Sequence, residues 1–282
     1  MRQKYFFLFS HSRFFLKKKR KQIKRTLVLA TTPFAMSVSF LPRFQKKIQL
    51  ESSENMPTIH IAGDSTASIK EEQKRPETGW GEKFASHFAP AVSLNNQAMN
   101  GRSTKSFIEE GRLARLVTTF KPGDFLLIQF GHNDQKIHAD KGTLPYGEYI
   151  ENLAFFARTA IKANVHPVFL TPVTRRNYLP NGRLDADCLG EYPSAMKQFA
   201  KKNNYPLLDI FSLSQQLLHT YTEEQTKEFY LHLKPEVNKN YPDGLEDNTH
   251  FSPLGAEKIA HLIVQEIKAQ QLPLAELLKE GV

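Results

Sequence analysis

The chain has few of the features that mark specialised classes of protein. Cys188 is its only cysteine, so an internal disulfide framework is excluded and stability must come from a buried core. No run of about 18 uninterrupted apolar residues is present, which excludes a polytopic membrane protein. Zinc-finger and RNP patterns are missing, as are the H-E-x-x-H, P-loop, G-x-G-x-x-G and G-x-S-x-G motifs. With 40% apolar and 24% charged residues, the composition is that of an ordinary globular protein.

Acidic residues are absent from the first 50 positions, which hold 13 lysines and arginines. Removing those 13 from the total of 38 leaves 25 basic and 29 acidic side chains in the rest of the chain, a net charge of −4. The charge of +9 for the whole chain therefore comes from the N-terminal segment and says little about what the remainder binds. Without a nucleic-acid-binding motif, we expect no nucleic-acid partner.

The N-terminal segment has the order of features that is typical of a secretory signal, since a basic run precedes a mostly apolar stretch at 26–41. The apolar stretch is short and contains Pro33, and both features count against a membrane-spanning helix. We expect residues 1–50 to be a signal peptide or anchor with a linker, and residues 51–282 to form one folded domain. The expected location is outside the cell or at the cell envelope, with membrane contact only through residues 1–41. A basic tail on a cytoplasmic protein is the alternative.

Short apolar runs alternate with longer amphipathic segments in the remainder of the chain. This pattern predicts strands at 58–62, 92–96, 124–130, 165–170 and 206–209. It predicts helices at 81–88, 104–120, 146–163, 192–204 and 254–270. The segment 221–247 breaks the alternation, and we interpret it as a long insertion or lid-like loop near the site, with a merely solvated loop as the alternative. Together the elements indicate an α/β fold, with a parallel sheet covered by helices on both faces and ligands bound beyond the carboxyl ends of its strands.

Four polar segments lie at those strand ends or just before the last helix. Gly63-Asp64-Ser65-Thr66 follows the first strand, Gly101 lies after the second and Asn133 after the third, while Asp247 and His250 precede the last helix. A hydrolase that uses an activated serine needs a nucleophile, a base, a group that orients the base, and oxyanion donors. An Asp three residues before a His can hold one imidazole nitrogen, so that the other serves as a general base. The four segments supply every one of these residue types.

These segments resemble the SGNH (GDSL-like) hydrolases, a family named for its catalytic Ser, Gly, Asn and His. Over about residues 57–270, further strings resemble its rhamnogalacturonan acetylesterase branch: Thr78-Gly-Trp-Gly81, Gly101-Arg-Ser103, Phe130-Gly-His-Asn-Asp134, Thr171-Pro-Val173 with Arg175-Arg176, and Asp247-x-Thr-His-Phe-Ser252. The resemblance implies a flavodoxin-like, three-layer α/β/α sandwich with a five-stranded parallel sheet. It also implies removal of acetyl groups from the pectin backbone without a cofactor or metal ion.

The resemblance assigns roles to individual residues. It implies that Ser65 is the nucleophile, His250 the base and Asp247 the residue that orients the base. The backbone N–H groups of Ser65 and Gly101, with the side chain of Asn133, would form the oxyanion hole.

Substrate binding is expected of four further residues. Trp80 is the only tryptophan and would either stack on a sugar face or fill the core. Three arginines, Arg102, Arg175 and Arg176, would either pair with galacturonate carboxylates or be solvated or ion-paired within the chain.

The expected substrate is therefore an acetylated polysaccharide or oligosaccharide. Three alternatives stay open: an acetylesterase acting on xylan or another polysaccharide, a lipase or thioesterase on the same fold, and a non-catalytic carbohydrate-binding protein. Segment 221–247 is not conspicuously apolar, which counts against the lipase. The sequence assigns no role to Asp64 and His132 beyond shaping the turns in which they lie.

Overall fold

The computed structural model describes residues 56–281. The predicted signal or anchor, and the expected domain boundary at residue 50, lie outside the described residues. Among the residues that the structure does describe, no helix is long and apolar enough to span a membrane.

A five-stranded parallel sheet forms the centre of the domain, in the order β2-β1-β3-β4-β5. Its strands are β1 Thr58–Gly63, β2 Ser93–Asn96, β3 Phe125–Gln129, β4 His166–Leu170 and β5 Leu207–Leu208. Because β2 and β3 flank β1, the segments that follow these three strands leave the sheet side by side at its carboxyl edge. The predicted five-stranded parallel sheet is confirmed.

The described residues form eight α-helices: α1 Trp80–Phe84, α2 Thr104–Glu109, α3 Arg112–Val117, α4 Glu148–Lys162, α5 Tyr192–Asn203, α6 Ile210–His219, α7 Glu223–Thr226 and α8 Pro253–Ala269. The single helix predicted at 104–120 is wrong, because it is divided into α2 and α3. Gly111 lies between them with a φ of +69°, a left-handed conformation that interrupts a right-handed helix. The prediction also missed α6 and α7.

Alternate side chains of the central strands face two separate apolar cores. Ile61 and Leu127 belong to the core that includes residues of α1, α6 and α8. Leu126 and Ile128 belong to the core that includes residues of α2, α3, α4 and α5. Successive strand residues point to opposite faces of a sheet, so both faces are covered by helices. The predicted three-layer α/β/α sandwich is confirmed.

The interpretation of segment 221–247 as a lid-like loop is wrong. The segment contains α7, a 3₁₀ turn, the strand β6 Tyr230–Leu233 and the first part of β7 Leu245–Phe251. These two strands form a separate antiparallel hairpin. The first two residues of β6, Tyr230 and Leu231, are buried. The charged residues that suggested a loop lie outside β6, most of them in α7, the 3₁₀ turn and the connection between the strands.

Helix α8 begins directly after this hairpin and packs closely against it. The hydroxyl of Ser252 caps the helix by accepting a hydrogen bond from the N–H of Gly255 at 3.1 Å. A Cβ at position 255 would come within 1.8 Å of the carbonyl oxygen of Phe229. The position therefore admits only glycine unless the backbone moves.

We expect Gly255→Ala to destabilise the domain, because the added methyl group forces α8 away from the backbone at Phe229. The expected loss is about 1–3 kcal/mol or more of the free energy of unfolding, measured by chemical denaturation. Leu254→Ala is the control, since Leu254 lies on the exposed side of the same turn, 45% accessible. Equal stability of the two variants would contradict the packing at Gly255.

Candidate active site

The carboxyl edge of the sheet brings the predicted site residues together. Ser65 lies in the turn after β1, Gly101 in the segment after β2, and Asn133 in the segment after β3. Asp247 and His250 reach the same place from the hairpin, because both lie on β7. The expectation that this pair precedes the last helix in the sequence is met, but the pair lies on a strand rather than in a loop.

A continuous chain of hydrogen bonds joins the serine to the aspartate. The Oγ of Ser65 lies 2.9 Å from Nε2 of His250, and Nδ1 of His250 lies 2.7 Å from Oδ2 of Asp247. With its proton on Nδ1, the imidazole donates to the carboxylate and presents the Nε2 lone pair to the serine hydroxyl. This arrangement can take a proton from Ser65 as the oxygen attacks a carbonyl carbon.

A bulge in β7 makes the contact between Asp247 and His250 possible. Residues three apart on a regular strand point to opposite faces. Here Leu231 of β6 pairs with Asp247, whereas its neighbour Tyr230 pairs with Phe251. The three residues between the paired positions are therefore extra on the β7 side, and such a bulge redirects side chains. The N–H groups of Thr249 and His250 both donate to Oδ1 of Asp247, at 2.7 and 2.9 Å.

Asp247 is held in its ionised form. Burial raises the pKa of this carboxyl, but the hydrogen bond and charge of His250 and the two backbone N–H donors lower it more, to about 2. Because this pKa lies below the ordinary value of 3.8, ionised Asp247 contributes to the stability of the fold at pH values above 3.8. That contribution is lost as the pH falls from there toward about 2. The orienting charge is therefore present at neutral pH.

Three N–H donors accompany the serine. Gly101 has a φ of +79°, a conformation that glycine adopts without strain. Its backbone N–H and that of Ser65 donate to no other group among residues 56–281. Asn133 donates one side-chain N–H to the carbonyl of Arg102 at 3.0 Å, and its amide carries a second N–H. These groups are the donors expected of an oxyanion hole, which stabilises the charge that develops on an attacked carbonyl.

Buried polar residues fix the segment that carries Asn133. Asp134 is fully buried and accepts hydrogen bonds from the N–H of Thr104 at 3.1 Å and the hydroxyl of Thr143 at 3.1 Å. Burial raises the pKa of Asp134 to about 7 despite these hydrogen bonds. The segment after β3 is thereby attached to the start of α2.

Asp64 and His132 do more than shape their own turns, because they connect the turn of Ser65 to the segment of Asn133. The Oδ2 of Asp64 lies 3.3 Å from Nδ1 of His132, and its Oδ1 accepts from the N–H and hydroxyl of Thr66 at 2.9 and 2.8 Å. Burial raises the pKa of Asp64, but His132 and Thr66 lower it more. The nucleophile and an oxyanion donor are thus linked by a buried, charge-assisted contact.

Two residues that the sequence analysis missed, Lys70 and Glu77, lie buried against the serine. The Nζ of Lys70 lies 2.7 Å from Oε1 of Glu77 and donates to the backbone carbonyl of Ser65. The same oxygen of Glu77 lies 3.9 Å from Nε2 of His250. Burial lowers the pKa of Lys70, while Glu77 raises it. No motif marks this pair in the sequence, although both residues follow Ser65 within 12 positions.

The predicted role of Trp80 in sugar stacking is wrong. Its side chain is 0% exposed, and its ring packs edge-on against Phe84 with centroids 5.4 Å apart. The indole Nε1 donates to Oε1 of Gln129 at 2.8 Å, and the same oxygen accepts from the hydroxyl of Thr66 at 3.1 Å. Trp80 therefore supports the turn of the nucleophile from inside the core.

The predicted role of Arg176 in substrate binding is also wrong. Arg176 is 4% exposed and donates to the side chains of Thr226 and Asn248 at 3.0 and 3.1 Å and to the carbonyl of Glu223 at 2.7 Å. Its backbone N–H also donates to the carbonyl of Asn248 at 2.8 Å. These hydrogen bonds of Arg176 hold the hairpin, and with it Asp247, against the segment after β4.

The other two arginines differ in how far their charges are already paired. The Nε of Arg102 lies 3.0 Å from both carboxylate oxygens of Glu110, so its charge is paired within the chain. Arg175 donates to the hydroxyl of Thr249 at 3.3 Å and to the carbonyl of His132 at 3.5 Å, and neither partner is charged. Among the described residues, Arg175 is the only one of the three predicted arginines that forms no salt bridge with a carboxylate.

No metal site is evident in the part of the chain that the structure describes. Among residues 56–281, no group of three or more His, Cys, Asp or Glu side chains is placed to hold a metal ion.

The site contains a serine, a histidine and an aspartate that are joined one to the next by hydrogen bonds, with three N–H donors beside them, on an α/β/α sandwich. These features define a serine hydrolase. The chain belongs to the GDSL-like lipase/acylhydrolase family, whose model matches residues 61–258. That range includes Ser65, Asp247 and His250, so the match spans all three hydrogen-bonded residues.

Relatives of known name cover most of the chain. The rhamnogalacturonan acetylesterase RhgT of Bacillus subtilis is 44% identical over 225 residues, which cover 79% of this chain and 95% of that protein. The probable rhamnogalacturonan acetylesterase YesY of the same organism is 35% identical over 224 residues, 79% of this chain and 98% of that one. Among solved structures, protein YxiM of Bacillus subtilis is similar in fold, with a TM-score of 0.65 at 22% identity over 77% of this chain and 58% of that chain.

We expect Asp247→Asn to lower kcat about 10³- to 10⁴-fold. The amide would present an N–H₂ group to Nδ1 of His250 and favour the tautomer whose Nε2 carries the proton, which removes the acceptor for Ser65. The measurement is steady-state hydrolysis of p-nitrophenyl acetate at neutral pH, with circular dichroism to verify the fold. A folded variant with more than a tenth of the normal kcat would contradict the proposed orienting role.

We expect Glu77→Gln to lower the free energy of unfolding by about 3–5 kcal/mol, because it leaves the charge of Lys70 buried without its partner. The double variant Lys70→Met, Glu77→Gln removes both charges and should recover most of that loss, as measured by chemical denaturation. Glu72→Gln is the control, since Glu72 and its partner Lys239 are 77% and 79% exposed and should contribute less than about 1 kcal/mol. A double variant no more stable than Glu77→Gln would refute the pairing argument.

Proposed function

We propose that the protein is a serine esterase that removes acetyl groups from rhamnogalacturonan, the backbone of a pectin. The hydrogen-bonded chain from Ser65 through His250 to Asp247 carries the proposal of ester hydrolysis. The substrate is proposed from the relative of 44% identity, which is named a rhamnogalacturonan acetylesterase and which the chain covers over 95% of its length. The second relative, of 35% identity, has a name that agrees with this substrate.

In the first half of the proposed reaction, the Oγ of Ser65 attacks the carbonyl carbon of the acetyl ester. The hydroxyl proton moves to Nε2 of His250, and ionised Asp247 stabilises the imidazolium that forms. The carbonyl oxygen becomes an oxyanion that accepts from the N–H groups of Ser65 and Gly101 and the side chain of Asn133. When the tetrahedral intermediate collapses, His250 returns the proton to the sugar oxygen, and the deacetylated sugar leaves.

In the second half, water hydrolyses the acetyl-enzyme. His250 takes a proton from the attacking water, and the same three donors hold the second oxyanion. Collapse of this intermediate releases acetate and returns the proton to Oγ of Ser65. Every covalent intermediate is bonded to the Oγ of Ser65, so the scheme needs no group beyond the residues of the site and water.

Glu77 supports the proton transfer from a second side. Its Oε1 lies 3.9 Å from Nε2 of His250, the nitrogen that becomes positively charged when it accepts the proton. A carboxylate at this distance attracts the positive charge that forms on the ring during proton transfer, while the ion pair with Lys70 at 2.7 Å keeps Glu77 in place. The proposed catalytic base therefore has a carboxylate near each of its ring nitrogens.

We expect the full-length protein to release acetate from acetylated rhamnogalacturonan, and Ser65→Ala to abolish that release because the nucleophile is lost. The measurement is enzymatic determination of acetate, with acetylated xylan and p-nitrophenyl esters of longer acyl chains assayed beside the pectin polymer. Ser86→Ala is the control, since Ser86 is exposed and donates only to the carbonyl of Lys83.

The outcomes separate the alternatives. Equal or faster release from acetylated xylan would keep the mechanism and move the substrate to another polysaccharide. A preference for long acyl chains would favour a lipase or thioesterase. Full activity of Ser65→Ala would overturn the mechanism, and no hydrolysis of any ester would favour a carbohydrate-binding protein without catalysis.

A further inference from the structure

Three cationic side chains lie near the proposed oxyanion donors, and among the described residues none of them forms a salt bridge with a carboxylate. The Nζ of Lys136 lies 3.2 Å from Oδ1 of Asn133, and the Nζ of Lys141 lies 3.0 Å from the backbone carbonyl of Gly101. Arg175 contacts a hydroxyl and a carbonyl, as described above. Within residues 56–281, none of these three cations forms a salt bridge with a carboxylate. We call Lys136, Lys141 and Arg175 the cationic rim.

Other basic residues near the site have such partners. The distance from Lys70 to Glu77 is 2.7 Å, and the distance from Arg102 to Glu110 is 3.0 Å. Arg176 lies 3.7 Å from Glu223. Among the described residues, the lack of salt bridges is therefore a property of the cationic rim and does not extend to the other basic residues near the site.

The charges of the cationic rim act on one another. The pKa of Lys136 is lowered, first by partial burial and then by the positive charges of Lys141 and Arg175, while Asp64 acts in the opposite direction. Asp64 itself is fully buried and bonded to His132, so it does not neutralise the group. In addition, the Nε of Arg175 is buried and has no hydrogen-bond partner among the described residues. Three mutually repelling cations, none of which forms a salt bridge among the described residues, create a local positive potential that attracts an anion.

We propose that the cationic rim binds the carboxylate of a uronate residue of the substrate, and so places the acetyl group of that residue or its neighbour against Ser65. This inference rests on the proposed function, because it names the feature of the polymer that the same site recognises. In a galacturonate residue, the carboxylate and the acetylated hydroxyl are substituents of one sugar ring. Since the rim contacts both Gly101 and Asn133, a carboxylate held there lies near the position at which the oxyanion forms.

A carboxylate suits this group better than a neutral sugar does. Guanidinium and ammonium groups form short, charge-assisted hydrogen bonds with carboxylates, which are stronger than bonds to hydroxyls. The described part of the chain outside the rim has an acidic excess, so attraction of a polyanion needs a local cluster of this kind. The rim also supplies specificity, because a neutral polymer would leave its charges unpaired.

Lys136 also acts on the oxyanion hole, since its contact with Oδ1 fixes the orientation of the Asn133 amide. An effect on the oxyanion hole would change the hydrolysis of every ester, whereas carboxylate binding changes only that of acidic substrates. The informative quantity is therefore the ratio of kcat/KM on acetylated rhamnogalacturonan to kcat/KM on p-nitrophenyl acetate. The variants are Lys136→Gln, Lys141→Gln and their combination, each in the full-length protein.

We expect this ratio to fall about 10- to 100-fold in the double variant, in keeping with the loss of two charge-assisted bonds. Lys121→Gln is the matched control, because Lys121 is exposed and lies before β3, at the opposite end of the sheet, and it should leave the ratio unchanged. Wild-type protein should also lose activity by a similar factor on polymer whose carboxylates have been reduced to alcohols. An unchanged ratio, or equal activity on the native and the reduced polymer, would overturn the inference.

A binding measurement keeps this test separate from that of the proposed function. Oligogalacturonate without acetyl groups should inhibit hydrolysis of p-nitrophenyl acetate by the wild-type protein and do so about 10-fold less well in the double variant. Neutral galactose oligomers should inhibit neither. If acetylated rhamnogalacturonan proves not to be a substrate but oligogalacturonate inhibits as expected, the proposed function fails and the anion site stands. If oligogalacturonate does not inhibit while the polymer is deacetylated, the anion site fails alone.

Discussion

The hydrogen bond between Ser65 and His250 joins two parts of the domain that the chain builds in different ways. Ser65 is fixed by the end of a buried parallel strand, while His250 comes from an antiparallel hairpin 185 residues later. The hairpin reaches the serine because contacts on two sides hold it: the N–H of Thr78 donates to the carbonyl of Phe251 at 3.0 Å, and that of Arg176 to the carbonyl of Asn248 at 2.8 Å. A contact of 2.9 Å between a sheet and a hairpin tolerates little movement of either, so much of the buried polar structure serves to position them.

The architecture follows from sequence patterns wherever a segment is apolar and long. The run at β3 predicts a strand covered on both faces, and its residues do alternate between two cores. The pattern fails where one residue changes the backbone path, as Gly111 does between α2 and α3. It also fails for the hairpin, because β6 is four residues long and shares its segment with charged turn residues. The pairing of such short strands depends on contacts with the rest of the fold.

The site could be predicted as far as its motifs extend. The strings around Ser65, Gly101, Asn133 and His250 each contain a residue whose chemistry is specific, and parallel topology brings three of the strings to one edge. The motifs do not predict whether a side chain is exposed. Trp80, for example, is buried because α1 turns its ring into the core. Likewise, no spacing predicts that Lys136 and Lys141 approach the oxyanion donors, since that depends on the path of the loop after β3.

Because of the bulge in β7, the segment between Asp247 and His250 cannot change in length, whereas the connection between the two strands of the hairpin can. Asp247 and His250 face one another because extra residues separate the paired positions 247 and 251. Loss or gain of a single residue at 248 or 249 would shift the alternation of side chains and turn the histidine away from the serine. Insertions between Lys234 and Val237, where the chain is exposed, would leave the pair in place. Divergence of length among related hydrolases should therefore be confined to the tip of this hairpin, with the spacing of the Asp-x-x-His string kept constant.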